Sequence, residues 1–508
     1  MSEPWLQFYA AADVRELDRR AIEDHGIPGY TLMQRAAQAA WRQARRAWGL
    51  PDRLVVFCGP GNNGGDGYEI ACLAAADGVS VDLRELPGER RGDAATARAA
   101  WQACGAISDD VAAPVAPPQR TGEGAYDESV WIVDALLGTG LSRAPEGQAA
   151  EAIAVINAAR ADGARVLAVD LPSGRNADTG AAPGAAVAAD LTVTFIGNKA
   201  GLHTGAGAAA SGIVRCEPLG VPAAVYKGIA PRARRLDAAS LRGYFPPRAR
   251  DAHKNRFGHV LIVGGAPGYA GAALLAGRAA LRAGAGLVSV ATHPEHAAAL
   301  CAAQPELMLR GVEGPEDLAP LLERATVLAL GPGLGTDGWG RSLFNALLDN
   351  ALPRVLDADA LNLLAEMPTA VPGAVLTPHP GEAARLLETS NAETEADRIK
   401  TVRALAERYD ATVVLKGAGS LIDDGSQPPW LCTDGNPGMA CGGSGDVLTG
   451  VVAACLAQGL APVDAAAAAV AAHAHAGDLA AAGGERGMVP GDLIDRLRVA
   501  VNPAVRGA

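Results

Sequence analysis

The chain has 508 residues, of which 49% are hydrophobic and 20% charged, and its formal net charge is -12. That length exceeds what a single hydrophobic core supports, and the acidic balance argues against non-specific binding to nucleic acid phosphates. No apolar run approaches the roughly 20 residues of a membrane span, and the N terminus lacks the pattern of a secretory signal. The eight cysteines include no C-x-x-C pair. We therefore expect reduced thiols and a cytoplasmic location, with neither membrane nor nucleic acid as a partner.

Strands alternate with helices through the first part of the chain. Helical spacing of apolar residues covers 12–48, and the apolar run 53–59 predicts a buried strand that leads into a helix from about Asp66. The scheme continues, with strands predicted at VSVDLREL, VWIVDALLGTG, ARVLAVDLPSG and ADLTVTFIG. Alternation of this kind predicts a parallel sheet with both faces covered by helices.

Residues 221–250 interrupt this rhythm with proline and arginine, and we place a domain boundary there, between domains 1–225 and 226–508. A second series follows, with strands predicted at HVLIVGG, AGAGLVSVAT, ATVLALGPGLG, PRVLDADAL, AVLTPHPGE and ATVVLKGAGS. The chain ends in an Ala-rich helical region. Two α/β domains of unequal size fit this pattern better than three, and the absence of a short-period repeat excludes a solenoid.

The loop after the first buried strand, GPGNNGGDG, fits the G-x-G-x-x-G pattern of dinucleotide-binding proteins. Its polar residues disagree with that use, because Asp66 at a helix start would repel a phosphate. Asn62, Asn63 and Asp66 are better suited to hydroxyls, ring amides or a hard cation. The structural alternative is a glycine-rich turn capped by Asp66.

Three more strand ends of the first domain carry polar residues. Asp134 ends one strand, Asp170 and Ser173 follow the next, and Lys199 lies in a Gly-rich loop after a third. In an open α/β sheet, ligands lie beyond the carboxyl ends of the strands. Asn63, Asp134 and Ser173 can therefore converge as oxygen ligands of a cation, while Asp170 handles protons in the same crevice. Each aspartate alone is more commonly a turn cap, but four such loops together favour a site.

The most specific motif of the second domain is GMACGGSGDVLTG. Gly442, Gly443, Ser444 and Gly445 would present backbone N–H groups at a helix N terminus, which together form an anion cradle for phosphate. Asp446 then stands where it can take a proton from a hydroxyl under attack. The alternative is a glycine-rich helix start with an acidic N-cap.

Two other segments of the second domain are weaker candidates. VLKGAGS offers Lys416 and Ser420 as donors near a phosphate, although Gly-Ala-Gly also makes an ordinary turn. TPHPGE fixes His379 between prolines, where a histidine is as often structural as functional. His473 and His475 are two residues apart and would point about 200° from each other on a helix, so they are not a metal pair.

These motifs, taken together and in this order, resemble a known family over nearly the whole chain: the bifunctional NAD(P)H-hydrate repair enzymes of the YjeF type. GPGNNGGDG, DALLGTGLSRAP and DLPSG carry the resemblance to the epimerase half. The resemblance to the ADP/ATP-dependent dehydratase half rests on HKNRFGHVLIVGG, GYAGAALLA, GPGLG, TPHPGE, KGAGS and GMACGGSGDVLTG. The family implies an α/β fold: a Rossmann-like doubly wound sheet followed by a ribokinase-like α/β domain.

The resemblance also implies roles for the matching residues. In the epimerase, the damaged dinucleotide would bind Asn62, Asn63, Gly64, Gly65, Asp66, Gly138, Thr139, Gly140, Leu141, Ser142, Arg143, Ala144 and Asp170. Potassium would be held by Asn63, Asp134 and Ser173. In the dehydratase, NAD(P)HX would bind Ala272, Gly335, His379 and Asp446. The adenine nucleotide would contact Lys416, Gly417, Ala418, Gly419, Ser420, Gly442, Gly443, Ser444 and Gly445.

The implied function is the repair of NADHX and NADPHX. The epimerase would interconvert their R and S forms, with Asp170 as its catalytic residue. In the dehydratase, Asp446 would deprotonate the hydroxyl of the hydrated ring and the terminal phosphoryl group of ADP or ATP would pass to that oxygen. Elimination would then restore NADH or NADPH. Mg2+ is expected on the nucleotide, K+ in the epimerase, and a homo-oligomer as the assembly.

One alternative is a ribokinase-like small-molecule kinase whose N-terminal domain binds a ligand without catalysis, because the Asp446 cradle alone does not exclude it. The chain also departs from the family at two places. Cys441 and Ser444 stand where other small residues, commonly Thr, are expected, and both leave the backbone cradle possible. In TLMQRAAQ, Gln34 stands where an acid is common.

Overall fold

A computed structural model of the chain describes residues 3–117, 129–140 and 143–503. The chain divides into two units, Met1–Ala233 and Arg234–Ala508. Within the described ranges, no helix combines the length and the apolar character that a membrane crossing needs.

The first unit is built on one parallel sheet. Its strands are β1 (Phe8–Tyr9), β2 (Arg53–Cys58), β3 (Ser80–Glu85), β4 (Val130–Ala135), β5 (Arg165–Val169), β6 (Leu191–Phe195), β7 (Asn198–Lys199) and β8 (Ile213–Glu217). Six of them pair in parallel in the order β3-β2-β4-β5-β6-β8, while β1 and β7 pair separately. Its helices are α1 (Ala11–Arg19), α2 (Gly29–Trp48), α3 (Asn62–Ala76), α4 (Gly92–Gln102), α5 (Gln148–Ala161) and α6 (Gly205–Ser211).

This strand order places a crevice at one point of the sheet. After β2 the chain moves outward to β3, and it then returns to the other side of β2 to form β4. The loops that leave β2 and β4 therefore lead away in opposite directions. In open α/β sheets, ligands bind at such a switch point, beyond the carboxyl ends of the strands.

The long helix predicted over 12–48 is interrupted. α1 ends at Arg19, a π-helical turn follows, and Gly26 then adopts a φ of 68°. Pro28 is the N-cap of α2, which begins at Gly29. Glycine accepts a positive φ and proline disrupts a helix interior, so these two residues set the break.

The second unit contains a larger sheet. Its strands are β9 (Arg234–Leu236), β10 (His259–Val263), β11 (Leu287–Thr292), β12 (Met308–Gly311), β13 (Val327–Leu330), β14 (Arg354–Leu356), β15 (Ala374–Leu376), β16 (Thr412–Leu415), β17 (Leu421–Asp423) and β18 (Trp430–Cys432). They form ten strands in the order β12-β11-β10-β13-β14-β15-β16-β17-β18-β9. From β12 to β16 every pairing is parallel, whereas β17 is antiparallel to both of its neighbours.

Helices flank this sheet, and the Ala-rich C-terminal ones supply much of the core. They are α7 (Leu241–Tyr244), α8 (Ala270–Arg282), α9 (Pro294–Ala303), α10 (Ala319–Leu322), α11 (Gly338–Leu347), α12 (Asp359–Glu366), α13 (Pro380–Leu387), α14 (Asn391–Ala396), α15 (Arg398–Tyr409), α16 (Ser444–Ala457), α17 (Pro462–Ala480) and α18 (Pro490–Ala500). Small residues let α8 and α16 pack closely, because a Cβ at Gly450 would lie only 2.1 Å from the Ala276 carbonyl oxygen. This contact anchors the helix that carries the predicted anion cradle.

Candidate active sites

The glycine loop of the first unit is a close-packed turn. α3 begins at Asn62, about one turn earlier than predicted, and no side chain caps it, so the alternative in which Asp66 caps the helix is wrong. A Cβ at Gly59 would lie 1.8 Å from the Leu136 carbonyl oxygen, and a Cβ at Gly64 would lie 2.0 Å from the Gly59 carbonyl oxygen. Packing between the loops after β2 and β4 therefore requires glycine here.

A cleft of about 720 Å³ opens at the carboxyl edge of the sheet. Gly64 and Gly65 are buried in the first turn of α3 and do not line it. Leu141 and Ser142, also predicted to bind the dinucleotide, lie outside the described residues. The lining includes the other predicted residues, namely Asn62, Asn63, Asp66, Gly138, Thr139, Gly140, Arg143, Ala144 and Asp170.

Asp170 directly follows β5, and its carboxylate is tied to a buried lysine. Lys199 Nζ lies 2.6 Å from Asp170 Oδ1 and donates to Thr194 Oγ1 at 2.7 Å. The Lys199 side chain is 0% exposed, whereas that of Asp170 is 19% exposed and lines the cleft. Asp170 has a φ of 67°, a left-handed conformation that aspartate tolerates better than most residues. The carboxylate therefore faces the cleft with its ammonium partner behind it.

Further carboxyl groups line the same cleft, and the pKa values of two of them, Asp66 and Asp18, are raised. Burial raises the pKa of Asp66 well above its usual range, and the nearby Asp170 and Asp18 raise it further. Burial also raises the pKa of Asp18 to about 6, with Asp170 adding to the shift and Lys199 opposing it. Asp18 comes from α1, and sequence reasoning missed it because no motif surrounds it. These groups hold their protons to a higher pH than ordinary aspartates do.

Asp134 and Ser173 form a fully buried group next to the cleft. Ser173 Oγ donates to Asp134 Oδ1 at 2.6 Å, and Ser173 N donates to Asp134 Oδ2 at 2.8 Å. Leu137 N donates to Ser173 Oγ at 2.9 Å, which joins the loops after β4 and β5. Burial raises the pKa of Asp134 to about 6 in spite of these hydrogen bonds.

Asn63 has buried polar atoms that lack a partner. Its Oδ1 and Nδ2 make no hydrogen bond within the described part of the chain. Gly138 approaches it closely, since a Cβ at Gly138 would lie 3.5 Å from Asn63 Cβ. A buried amide oxygen without a partner costs free energy, and a cation would satisfy it. Asn63, Asp134 and Ser173 therefore fit an oxygen-ligated cation, although the described residues contain no group of three or more His, Cys, Asp or Glu with metal-binding geometry.

In the second unit, the predicted cradle lies at the start of α16. Gly443 is the N-cap and has a φ of 96°, a left-handed conformation that glycine adopts freely. The helix begins at Ser444, whose N–H donates to the Cys441 carbonyl oxygen at 3.3 Å, while the N–H groups of Gly445 and Asp446 have no carbonyl partner within the helix. Such groups bind anions.

Lys416 lies beside this helix start. A Cβ at Gly445 would lie 3.3 Å from Lys416 Nζ, so a larger residue at Gly445 would crowd the ammonium. Lys416 Nζ is 2.7 Å from Asp357 Oδ1 and 3.8 Å from Glu382 Oε2. Burial acts to lower the pKa of Lys416, but the two carboxylates outweigh it and the pKa is raised overall. A positive charge therefore stands next to the N–H groups of the cradle.

Asp446 is in the first turn of α16. Its pKa is raised to about 7, mainly by burial and also by Asp357, while Lys416 opposes the shift. A carboxyl group with a pKa near the working pH is suited to general base catalysis. The alternative in which Asp446 is an N-cap is wrong, because Gly443 occupies that position.

Sequence reasoning did not single out Asp357, although a signal was present. Asp357 directly follows β14, just as Asp170 directly follows β5. An aspartate at the carboxyl edge of a parallel sheet is a candidate wherever it occurs. Only the structure shows that Asp357 pairs with Lys416.

The residues predicted to bind NAD(P)HX lie on neighbouring loops of the same edge. Gly335 N, after β13, donates to Asp359 Oδ2 at 2.8 Å. A Cβ at Gly333 would lie 3.2 Å from the Cβ of Ala272, which places the start of α8 against this loop. Ala272 therefore lies against the loop that carries Gly335.

His379 caps α13. Its Nδ1 accepts hydrogen bonds from Gly381 N at 2.9 Å and Glu382 N at 3.4 Å, so a neutral ring carries its proton on Nε2. Burial lowers the pKa of His379, and the Lys416 charge lowers it further. A neutral Nε2–H can donate to a ligand, which makes the capping role compatible with a binding role.

The loop after β16 offers mainly backbone atoms. Gly417 and Ala418 are exposed, and the Ser420 hydroxyl donates to the Gly417 carbonyl oxygen at 3.1 Å. Gly419 has a φ of 66°, a left-handed conformation that glycine adopts more easily than other residues. Exposed backbone with small side chains allows a bound nucleotide to approach it closely.

Comparisons with known proteins identify both units. Residues 29–201 match the family described as YjeF-related protein N-terminus, and residues 260–498 match the family described as NAD(P)H-hydrate dehydratase. The chain is 45% identical over 496 residues to the bifunctional NAD(P)H-hydrate repair enzyme of Coxiella burnetii, covering 97% of this chain and 99% of that protein. It is 42% identical over 518 residues to the enzyme of the same name from Escherichia coli, covering 99% and 96%.

A solved structure agrees with the fold predicted for the second unit. A ribokinase-like superfamily protein from Enterococcus faecalis is 30% identical, with a TM-score of 0.50, over 53% of this chain and 96% of that one. An ADP/ATP-dependent NAD(P)H-hydrate dehydratase from Bacillus subtilis, co-crystallised with ATP/Mg2+, is 28% identical, with a TM-score of 0.48, over 52% and 97%. The predicted fold class is confirmed. The chain belongs to the family of bifunctional NAD(P)H-hydrate repair enzymes, with an N-terminal epimerase domain and a C-terminal dehydratase domain.

Proposed function

We propose that the chain restores NADH and NADPH from NADHX and NADPHX, by epimerisation in the first unit and nucleotide-dependent dehydration in the second. One observation carries the proposal. Each unit holds a lysine–aspartate ion pair at the carboxyl edge of its parallel sheet, Lys199–Asp170 at 2.6 Å and Lys416–Asp357 at 2.7 Å. A carboxyl group with a raised pKa lies near each pair: Asp18 in the first unit, at about 6, and Asp446 in the second, at about 7. Such groups can exchange protons near neutral pH.

In the second unit, Asp446 accepts the proton of the ring hydroxyl. The oxygen then attacks the terminal phosphorus of ADP or ATP, and the bond from that phosphorus to the bridging oxygen of the nucleotide breaks. Lys416 and the N–H groups from Gly442 to Gly445 neutralise charge on the transferred group, which is the main task in phosphoryl transfer. Mg2+ enters with the nucleotide phosphates as part of this substrate.

Phosphorylation turns a poor leaving group into a good one. The carbon–oxygen bond breaks with departure of inorganic phosphate, the neighbouring carbon loses a proton, and the double bond of the nicotinamide ring is restored. His379 and Gly335 orient the ring for this step, and Ala272 closes the adjoining wall.

In the first unit, Asp170 is the group that meets the substrate hydroxyl. Its carboxylate lines the cleft while Lys199 holds it from behind. Asp18 and Asp66 supply neighbouring carboxyl groups that retain protons to higher pH. Together they can accept and return a proton while the hydroxyl-bearing carbon changes configuration.

Asn63, Asp134 and Ser173 would hold K+ beside this cleft. The unpartnered buried oxygen of Asn63 supports this donor set. Bound K+ would supply a fixed positive charge near the dinucleotide, while Asn63 and Gly138 keep the loop walls of the cleft in place. The homo-oligomer and the cytoplasmic location stay predictions.

The test uses NADHX prepared as mixed epimers, purified full-length protein, MgCl2, KCl and either ADP or ATP. Absorbance at the band of reduced nicotinamide reports dehydration. We expect recovery of the whole mixture, because epimerisation feeds the S form to the dehydratase. The nucleotide that supports faster recovery is the preferred donor.

Other outcomes decide between the alternatives. Recovery that stops at the S fraction, together with an Asp170→Ala variant that behaves like the wild type, would make the first unit a binding module. A stable phosphorylated product without elimination would favour a small-molecule kinase. No recovery with either nucleotide would overturn the dehydratase proposal.

A further inference from the structure

Asp357 uses both of its carboxylate oxygens inside the second unit. Oδ1 lies 2.7 Å from Lys416 Nζ, and Oδ2 accepts a hydrogen bond from Thr449 Oγ1 at 2.7 Å. Only 2% of the Asp357 side chain is exposed, against 18% for Lys416. Asp357 therefore lies behind the surface that a ligand meets, and Lys416 lies at it.

The backbone of Asp357 is held as firmly as its side chain. Asp357 N donates to the Leu330 carbonyl oxygen at 3.1 Å, and a Cβ at Gly331 would lie 1.8 Å from the Asp357 carbonyl oxygen. Its Oδ2 lies 3.9 Å from the position of a Cβ at Gly445. The carboxylate thus sits between the loop that carries Lys416 and the first two turns of α16.

We propose that Asp357 is a positioning residue for phosphoryl transfer. It holds the Lys416 ammonium directly and the start of α16 through Thr449, so that the ammonium and the N–H groups of the helix face the same phosphate. The inference rests on the proposed function, in which Lys416 and the N terminus of α16 bind the nucleotide.

The geometry explains why such a residue is needed. A lysine side chain has four flexible methylenes, and fixing it in one rotamer costs conformational entropy. Glu382 Oε2 lies 3.8 Å from Lys416 Nζ and offers a competing partner. Without Asp357 the ammonium would lose its 2.7 Å ion pair and retain the longer contact to Glu382, so its position beside Gly445 would no longer be fixed.

Asp357 also acts on the general base. The charged groups that influence Asp446 are Asp357, Lys416, Asp359 and Glu382. Asp357 raises the pKa of Asp446, and Lys416 lowers it. Removal of the Asp357 charge should therefore move the acidic limb of the dehydratase pH profile to lower pH, a shift that a purely structural role would not produce.

The first variant is Asp357→Asn, which keeps shape and removes charge. We expect the nucleotide KM and the directly measured nucleotide Kd to rise about tenfold or more, the range for a lost hydrogen bond to a charged group. We also expect the acidic limb of kcat/KM to move down in pH. The KM for NADHX and the epimerase rate should stay close to wild type.

Asp359→Asn is the matched control. Asp359 is two residues away and also influences Asp446, but its side chain accepts from Gly335 N on the NAD(P)HX side. Its substitution should raise the KM for NADHX while leaving the nucleotide Kd within about twofold. The two aspartates should thus affect different substrates.

A second pair of variants covers the case in which Asp357→Asn fails to fold. Thr449→Val removes the hydroxyl that binds Asp357, and Thr449→Ser keeps it. We expect Thr449→Val to weaken nucleotide binding several-fold and Thr449→Ser to restore it. This inference alone is overturned if Asp357→Asn leaves the nucleotide Kd and the pH profile unchanged. If Asp357→Asn does not fold, the same result in Thr449→Val overturns it. A wild-type protein that restores no NADH with either nucleotide overturns the proposed function instead.

Discussion

Both units pair a lysine with an aspartate at the carboxyl edge of a parallel sheet, but they expose opposite partners. In the first unit the Lys199 side chain is 0% exposed and that of Asp170 is 19% exposed. In the second unit Lys416 is 18% exposed and Asp357 only 2%. The exposed partner is the one that a ligand meets, so the first site presents a carboxylate and the second an ammonium.

The difference shows how the same ion pair serves two kinds of chemistry. A buried charge needs a partner, because an unpaired one costs several kcal/mol in the interior. The deeper member therefore stabilises and orients, and the shallower member is left for the substrate. A carboxylate suits proton transfer to and from a hydroxyl, whereas an ammonium suits the negative charge of a phosphoryl group.

The largest expected effect is on the dehydratase alone. Asp446→Asn should lower its kcat by about 10³-fold or more, since a positioned general base contributes about 10² to 10⁴. Recovery of NADH absorbance from pure (S)-NADHX measures it. The epimerase rate, followed by chromatographic separation of the epimers, should be unchanged. A matching loss of both activities would mean that the variant is misfolded.

The converse substitution should affect only the epimerase. Asp170→Asn is expected to slow epimer interconversion by about 10²-fold, because it removes the carboxylate that the cleft presents. Asp24→Asn, at an exposed position of the same unit, is the control. Equal epimerisation rates for the two variants would show that Asp170 does not act on the substrate.

The pH dependence of the dehydratase follows from the pKa of Asp446, which burial raises to about 7. The base must be ionised to accept a proton, so kcat/KM should rise with pH and level off above that value. Below it, activity should fall about tenfold per pH unit. A profile that is flat between pH 5 and pH 8 would exclude Asp446 as the base.

The smallest expected effect concerns potassium. KCl should raise the midpoint of thermal unfolding by a few degrees relative to choline chloride, because a ligand that binds only the folded state stabilises it. Asn63→Ala should remove most of this difference, while Asn157→Ala, away from the cleft, should retain it. An identical response in the two variants would exclude Asn63 as a ligand.

Much of the fold and part of each site were predictable from local patterns. Apolar runs that end in glycine marked β2, β10 and β13, and glycine-rich motifs marked the loops that line both sites. The first helix was predicted too long, because Gly26 and Pro28 break it between α1 and α2. Asp18 was missed because it lies in α1 without a motif around it. Its proximity to Asp170 arises only from packing.

The sequence by itself determined the two α/β domains, the order of the motifs and the residue types available at each strand end. These follow from local properties: the periodicity of apolar residues, the conformational freedom of glycine, and the chemistry of each side chain. Only the tertiary structure decided which member of each lysine–aspartate pair faces the ligand. Exposure depends on what packs around a side chain, and Thr449, which is 92 residues from Asp357 in the chain, donates a hydrogen bond to it only in the folded protein.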